Sequence, residues 1–258
     1  MKRPNQIDGS KGFTLVELLV VIAIVGILVA IAFPALSSAM TSGRAAASMS
    51  NLRQLAAANL SYASDHEGYY CPAAQDATYS YLWCGARTTG STYDPTKGYL
   101  SPYLGADGKV KECPLFANIV TVNSFDACTG GYGYNEMYIG GIAANPDPYK
   151  PANVANVPRP GQTIMFTTTA FSVSAGLQEY PFCEPYQWPD PSWGSVMPSV
   201  HFRDHGRALV AWCDGHVSAE LPDKVGDDYA VNKSPLGSIG WFGPTTNNGY
   251  WNPAYTGN

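Results

Sequence analysis

The chain opens with one long apolar segment that continues as an amphipathic one. Residues 18–36, LLVVIAIVGILVAIAFPAL, are nineteen uncharged positions, and as a helix they span most of a hydrocarbon core of about 30 Å. Residues 38–66 contain no proline and carry an apolar stripe at helical spacing, formed by Met49, Leu52, Ala56, Leu60 and Ala63. The pattern predicts one helix from Phe13 to Asp65, transmembrane over 13–36 and amphipathic over 37–67, with Gly68 as its stop signal.

Beyond Gly68 the pattern changes to short aromatic runs separated by turn residues: YSYLWC, GYGYNEMYIGG, QTIMFTTTAFSV and RALVAWCDGHVSAEL. Such runs predict short strands. In the last run, Asp214-Gly215 lies between two strand-like halves and predicts a hairpin with a two-residue type I′ turn. The whole predicts an α+β fold, in which the long N-terminal helix packs on a small antiparallel β-sheet head with long loops, residues 68–258.

The charge distribution gives an orientation and excludes one class of partner. Lys2, Arg3 and Lys11 precede the apolar segment, and the first charge after it is Arg44. The positive-inside bias therefore predicts a cytoplasmic N-terminus and an extracytoplasmic head. The net charge is -5, and the basic residues form no cluster longer than Lys109-Val110-Lys111, so a nucleic acid is not expected as the main partner.

Six cysteines all follow the apolar segment, and none forms a C-x-x-C pair: Cys71, Cys84, Cys113, Cys128, Cys183 and Cys213. An even number on one side of a membrane indicates disulfides in an oxidising compartment. Proximity in sequence weakly favours Cys71 with Cys84 and Cys113 with Cys128, among fifteen possible pairings. The alternative is that some of the six are buried thiols.

Glu17 distinguishes the apolar segment from an ordinary one. A signal anchor, or a secretory signal peptide cut after Ala39, would explain the rest of the segment. Neither alternative explains a carboxylate at the start of the apolar run, where the absence of a charge partner costs several kcal/mol. Glu17 therefore predicts a nearby cation.

The residues around Glu17 resemble a known signature. Lys11-Gly12 followed by FTLVELLVVIAI is similar to the cleavage and methylation signature of type IV prepilins and type II secretion pseudopilins. The resemblance implies that residues 1–12 are a cytoplasmic leader, that prepilin peptidase cuts after Gly12, and that it N-methylates Phe13. The cut creates a positively charged α-amino group four residues before Glu17. In this family Glu17 would pair with the amino terminus of a neighbouring subunit, and the helix near Pro34 would depart from ideal geometry during packing.

The head contains a second family feature. His205, Asp214 and Gly215 resemble the prepilin-associated domain named for a histidine followed nine residues later by Asp-Gly, although here only eight residues intervene. Cys113-Pro114, Tyr132-Gly133-Tyr134-Asn135 and the strand Thr163 to Thr168 extend this weaker resemblance over most of the head.

Two sets of residues have side chains of the types that bind metal ions. His201, His205, Asp214 and His216 lie close in sequence, but no spacing places them on one face, and structural histidines are the default interpretation. Asp223, Asp227 and Asp228 offer oxygen ligands for Ca²⁺, as major pseudopilins use in a C-terminal loop, against the alternative of a solvated acidic loop. No cofactor is required by the sequence.

The predicted function is therefore structural. No nucleophile elbow, P-loop or helix-borne zinc motif is present in the sequence, and an enzyme is not expected. The resemblance implies a filament subunit of the bacterial inner membrane, whose partners are identical or related pilin subunits, prepilin peptidase and an inner-membrane assembly platform. The filament would lie in the periplasm or on the cell surface, as a type II secretion pseudopilus or a type IV pilus-like fibre. The alternative is a minor or non-filamentous protein whose head binds a surface or substrate through aromatic contacts. The tail from Ser234 is expected to wrap the head surface or to present four aromatic side chains to a partner: Trp241, Phe242, Tyr250 and Trp251.

Overall fold

The computed structural model describes residues 13–90, 92–105, 109–117, 119, 128–142, 147–173, 176–223 and 237–256. The chain divides into two compact units, residues 1–43 and 44–258. One helix, α1 (Leu15–Asp65), begins in the first unit and ends in the second. The strands are β1 (Ala86–Thr89), β2 (Thr92–Asp94), β3 (Tyr132–Tyr134), β4 (Ile164–Thr168), β5 (Phe171–Val173), β6 (Gly176–Gln178), β7 (Val200–His201), β8 (Ala208–Trp212), β9 (Val217–Glu220) and β10 (Ile239–Gly240). The predicted α+β fold is confirmed.

The first unit consists, in its described part, of the apolar half of α1. This is a helix long and apolar enough to cross a membrane, with a mean hydropathy of 3.1 in its most apolar window. Its large side chains from Leu15 to Leu36 are exposed, as expected for a helix surface that contacts lipid. The helix runs through Pro34 without interruption.

The second half of α1 ends where the sequence predicts. The Gly68 backbone N–H donates to the Ala63 carbonyl at 2.8 Å, and Glu67 and Gly68 have φ values of 55° and 84°. This is the six-to-one hydrogen bond of a Schellman cap, which satisfies one of the last carbonyls of a helix. Glu67 takes the left-handed position of this cap, and Gly68, which adopts positive φ without steric cost, follows it and carries the chain away from the helix axis.

The head is organised around one antiparallel sheet of four strands in the order β3-β4-β8-β9. The central strands β4 and β8 are buried along their whole length. Side chains alternate between the two faces of a strand, and accordingly Leu209 and Ala211 of β8 join the hydrophobic cluster that includes α1, whereas Val210 and Trp212 join a second cluster. The sheet therefore buries both faces.

The C-terminal tail forms the second cluster with the outer face of the sheet. Trp241, Phe242 and Trp251 are buried there, and the Trp251 indole donates to the Cys183 carbonyl at 3.1 Å. The alternative in which these three side chains contact a partner is therefore wrong, because they complete the core. Sequence alone could not distinguish the two cases, since both require aromatic side chains.

Helix α1 docks on the sheet through polar contacts as well as apolar ones. The Asn59 amide donates to the Tyr134 hydroxyl at 3.0 Å and accepts from the Cys71 N–H at 2.8 Å, and the Tyr134 hydroxyl donates to the Cys71 carbonyl at 2.9 Å. All of these groups are buried, and buried polar groups are costly unless they are paired. The network fixes the position of the helix along β3.

The YSYLWC run is the one predicted strand that does not form. Residues 79–84 contribute only isolated bridges, Ala74 with Leu82 and Tyr81 with Ala86. Tyr79 has a φ of 52°, a left-handed conformation that interrupts an extended strand. The aromatic pattern here reflects burial of Leu82 and Trp83 in the core.

Candidate functional site

The N-terminal candidate site is a capping box at the start of α1. The Thr14 backbone N–H and hydroxyl donate to Glu17 Oε2 at 2.9 and 2.8 Å, and the Glu17 N–H donates to Thr14 Oγ1 at 3.2 Å. This reciprocal pair satisfies N–H groups that a helix leaves without internal partners. The Glu17 carboxylate is therefore oriented toward the helix N-terminus.

Of the other N-terminal positions, Phe13 lies just before the capping box and is exposed, and Gly12 lies outside the described residues. Phe13 and Glu17 are separated by four residues, about one helical turn. An α-amino group at Phe13 would therefore lie near the end of the helix where Glu17 is held. The roles predicted for Gly12, Phe13, Glu17 and Pro34 stay predictions.

The hairpin that contains Asp214 and Gly215 is confirmed, but its turn differs from the predicted one. Strands β8 and β9 pair with Ala211 opposite Val217, and the Trp212 N–H donates to the His216 carbonyl at 3.0 Å. The loop therefore has three residues, and only Gly215 has positive φ, 90°. A type I′ turn needs positive φ at both central positions, whereas a three-residue loop places glycine at the left-handed position of a bulge.

Asp214 stabilises this loop through its own side chain. Its Oδ1 accepts from the His216 N–H at 3.0 Å and contacts His216 Nδ1 at 2.6 Å. The Asp214 carboxylate, which resembles part of a family motif, thus stabilises the loop in the manner of an Asx turn.

His201, His205 and His216 do not form a metal site. His201 is 3% exposed, and its burial together with the nearby Arg203 charge lowers its pKa to about 2. His205 is exposed, at a φ of 51°, and contacts Asp204 Oδ1 at 2.9 Å. His205 pairs with the adjacent Asp204, and His216 pairs with Asp214 two residues before it. The three histidines of this region therefore share no set of ligands.

Within the described part of the chain, no group of three or more histidine, cysteine, aspartate and glutamate side chains is placed to hold a metal ion. Of the proposed Ca²⁺ ligands, Asp223 is described and its backbone N–H donates to the Trp241 carbonyl at 3.0 Å. Asp227 and Asp228 lie outside the described residues, so the Ca²⁺ prediction stays a prediction.

The cysteines form one disulfide, between Cys84 and Cys128. The pairs favoured by proximity, Cys71 with Cys84 and Cys113 with Cys128, are therefore wrong. The other four cysteines, Cys71, Cys113, Cys183 and Cys213, are buried thiols, and burial raises the pKa of Cys71, Cys183 and Cys213. Three-dimensional packing rather than proximity decides the pairing, since a disulfide requires two Cα atoms within about 7 Å.

Sequence reasoning missed a second candidate site in the head, an open cleft of about 710 Å³ that contains two buried glutamates, Glu136 and Glu184. They are 2% and 3% exposed. Burial, and for Glu136 also the charge of Glu184, raises the pKa of both carboxyl groups, and the two groups hydrogen-bond to one another. The available signal was a single acidic residue within each of two aromatic and apolar runs, YGYNEMY and YPFCEPY.

The comparisons with known proteins concern the N-terminal site. The family model described as Prokaryotic N-terminal methylation motif matches residues 8–33, a range that includes the Gly12 to Phe13 junction and Glu17. Searches of curated proteins and of solved structures returned no match. The motif and the membrane-capable helix support a type IV pilin-like precursor. The match ends before the head, whose resemblance to the prepilin-associated domain stays a prediction.

Proposed function

We propose that this chain is the precursor of a structural subunit of a type II secretion pseudopilus or a type IV pilus-like filament. Prepilin peptidase cleaves it after Gly12 and N-methylates Phe13. The observation that carries the proposal is the methylation motif over residues 8–33, which coincides with the start of a helix able to cross a membrane. The chain is anchored in the inner membrane with its N-terminus in the cytoplasm and its head in the periplasm.

The capping box supports a specific role for Glu17. In the precursor, Thr14 supplies hydrogen bonds to the carboxylate, which lowers the cost of an acid at the membrane boundary. Cleavage adds an α-amino group one turn away, and in a bundle of such helices each carboxylate can neutralise the terminus of a neighbour. That pairing fixes the axial position of an incoming subunit, and repetition of one heterologous contact builds an open filament.

Two single variants test this role. Glu17→Ala removes the charge, and we expect membrane insertion without filaments. Thr14→Ala removes the capping hydrogen bonds but keeps the carboxylate, and we expect it to assemble. Electron microscopy of sheared filaments and membrane fractionation provide the two readouts. Normal filaments from Glu17→Ala, or equal loss from both variants, would contradict a charge-pairing role for Glu17.

The cleft favours a second role, in which the head binds a surface or a substrate. An open concavity lined by aromatic side chains with a few polar groups is the usual form of a ligand site. This role is compatible with a filament subunit, since a head displayed along a fibre or at its tip is available for binding. Its test is direct ligand binding to the purified chain before assembly.

A further inference from the structure

The two buried glutamates are brought together by the backbone register of the head. A parallel bridge joins Tyr134, at the end of β3, to Phe182, with the Cys183 N–H donating to the Tyr134 carbonyl at 2.8 Å. Two residues farther along each segment lie Glu136, in the turn that follows β3, and Glu184. The bridge therefore holds together the two segments that carry these carboxyl groups.

Gly133 permits this register. A Cβ atom at Gly133 would lie 2.4 Å from Thr169 Cγ2 and 2.5 Å from the Phe182 carbonyl oxygen. These separations are far below van der Waals contact, so another side chain would push the 182 segment away from β3. The fold thus uses a glycine to keep two acids adjacent, an arrangement that costs stability when nothing compensates it.

The carboxyl pair is incompletely satisfied. The Tyr180 hydroxyl donates to Glu184 Oε1, while Glu136 Oε2 and Glu184 Oε2 have no hydrogen-bond partner among the described residues. Neither glutamate takes part in the ion pairs found among the described residues, which involve Asp94, Asp147, Asp204 and Asp214. Two adjacent carboxyl groups share one proton when no cation is present.

Aromatic rings form the walls around the pair. Six of them line the cleft: Tyr79, Tyr149, Tyr180, Phe182, Trp188 and Trp193. Five of the rings form two groups. Phe182 lies 5.8 Å from Tyr180 and 5.7 Å from Tyr79, and Trp188 lies 6.2 Å from Trp193, between ring centroids. Trp193 is 50% exposed, which places an accessible aromatic face at the rim.

We propose that this cleft binds an organic ammonium group, such as a lysine side chain or a quaternary ammonium, with its aliphatic part against the aromatic rings and its charge at Glu136 and Glu184. Aromatic faces attract cations through their quadrupoles, and aromatic enclosures with an acid are suited to ammonium ligands. The proposal rests on the second role given above, a head that binds a partner, and is independent of filament assembly.

Other ligand classes fit the cleft less well. Ca²⁺ takes six to eight oxygen ligands, whereas the described lining offers two carboxyl groups among mainly aromatic side chains. A neutral saccharide could stack on the rings, but it would leave two buried acids without a compensating charge. An ammonium group displaces the shared proton to solvent and lets both carboxylates ionise.

Binding should therefore release a proton. The other titratable or charged side chains that line or adjoin the cleft are Tyr79, Arg87, Tyr149, Tyr180 and Cys183. Burial raises the pKa of the tyrosines and of the thiol, so near neutral pH they remain protonated. Arg87 donates hydrogen bonds to the Tyr93 hydroxyl, from Nη2 at 2.8 Å and from Nε at 3.2 Å.

The test uses the full chain in detergent and a matched pair of probes. Choline carries a trimethylammonium group, and 3,3-dimethyl-1-butanol has the same shape without the charge. Calorimetric titration in two buffers of different ionisation enthalpy measures both affinity and proton release. We expect choline to bind at least tenfold more tightly than the alcohol, with a proton released. Equal affinity for the two probes would overturn the proposal.

Variants locate the site. We expect Glu136→Gln or Glu184→Gln to weaken choline binding at least tenfold and to abolish proton release. Trp193→Ala, at the exposed rim, should weaken binding about two- to fivefold without disturbing the core. Glu112→Gln changes an exposed acid outside the cleft and is the matched control.

Other outcomes refute the ammonium site without affecting filament assembly. Maltotriose binding without choline binding would support a binding head but assign it to saccharides, and absence of binding by all three probes would overturn the ligand assignment. Choline binding unchanged in all three cleft variants would show that the cation binds elsewhere. The Glu17 assembly result does not depend on any of these outcomes.

Discussion

The buried imidazole of His201 should make the head sensitive to acid. The side chain is 3% exposed, its ring lies 6.1 Å from Phe116 in an edge-to-face arrangement, and its pKa is lowered from 6.5 to about 2 by burial and by Arg203. Its folded-state pKa lies below its unfolded value, so the unfolded chain binds more protons between these limits. Stability is therefore lost as the pH falls below 6.5.

The expected loss of stability follows from the pKa shift of His201. One pKa unit corresponds to about 1.4 kcal/mol, and acidification from pH 7 to pH 5 protonates His201 in the unfolded state alone, which removes about 2 kcal/mol of stability. The variant His201→Gln lacks this titration. Its free energy of unfolding should fall about 2 kcal/mol less than that of the wild type over the same interval.

Urea unfolding of the full chain in detergent, followed by tryptophan fluorescence at both pH values, measures the difference. His205→Gln is the matched control, because this histidine lies in the same segment but its side chain is 67% exposed. We expect the control to keep the wild-type pH dependence. A parallel pH dependence in wild type and His201→Gln would refute the assignment of the acid sensitivity to His201.

Three further predictions concern the packing of the head. Gly133→Ala should lower the free energy of unfolding in urea by about 2–3 kcal/mol, because the added Cβ meets the backbone. The control Gly43→Ala, whose Cβ meets nothing within 4 Å, should be neutral or stabilising by up to about 1 kcal/mol. Equal effects of the two variants would contradict this prediction. Mass spectrometry after alkylation without reduction should find four reactive thiols in the denatured chain, and two or six would refute the single disulfide. The Cys84–Cys128 bond joins residues 44 positions apart, and its loss should lower the free energy of unfolding by about 4 kcal/mol. Leu55→Ala, at a fully buried helix position, should lower the free energy of unfolding by about 2–5 kcal/mol, and a loss below about 1 kcal/mol would contradict the docking of α1.

Local features of the fold were readable from the sequence. The end of α1 at Asp65 follows from the stop signal at Gly68, whose backbone N–H caps the nearby Ala63 carbonyl. The β8–β9 hairpin likewise follows from Asp214-Gly215, although its loop is one residue longer than predicted. The Thr14-x-x-Glu17 spacing also fits a capping box, a local role for Glu17 that requires no distant cation.

Features that depend on contacts between distant segments could not be predicted from the sequence. The buried face of α1 is wider than the predicted stripe, because Leu55, Asn59 and Tyr62 also face the head. The Cys84–Cys128 bond and the Glu136–Glu184 pair each join segments that are distant in sequence. Single-sequence periodicity identifies the face of an element but not which other segment covers it.

The most direct test of the pilin-like account is the N-terminus of the mature protein. Intact-mass and N-terminal peptide analysis of the chain recovered from its native membranes should find Phe13 as the first residue, with a methyl group on its α-amine. Such a terminus would place an amine one turn from Glu17, as the proposed charge pairing requires. A mature chain that begins at Met1, or at Met40 after cleavage by a signal peptidase, would contradict the account.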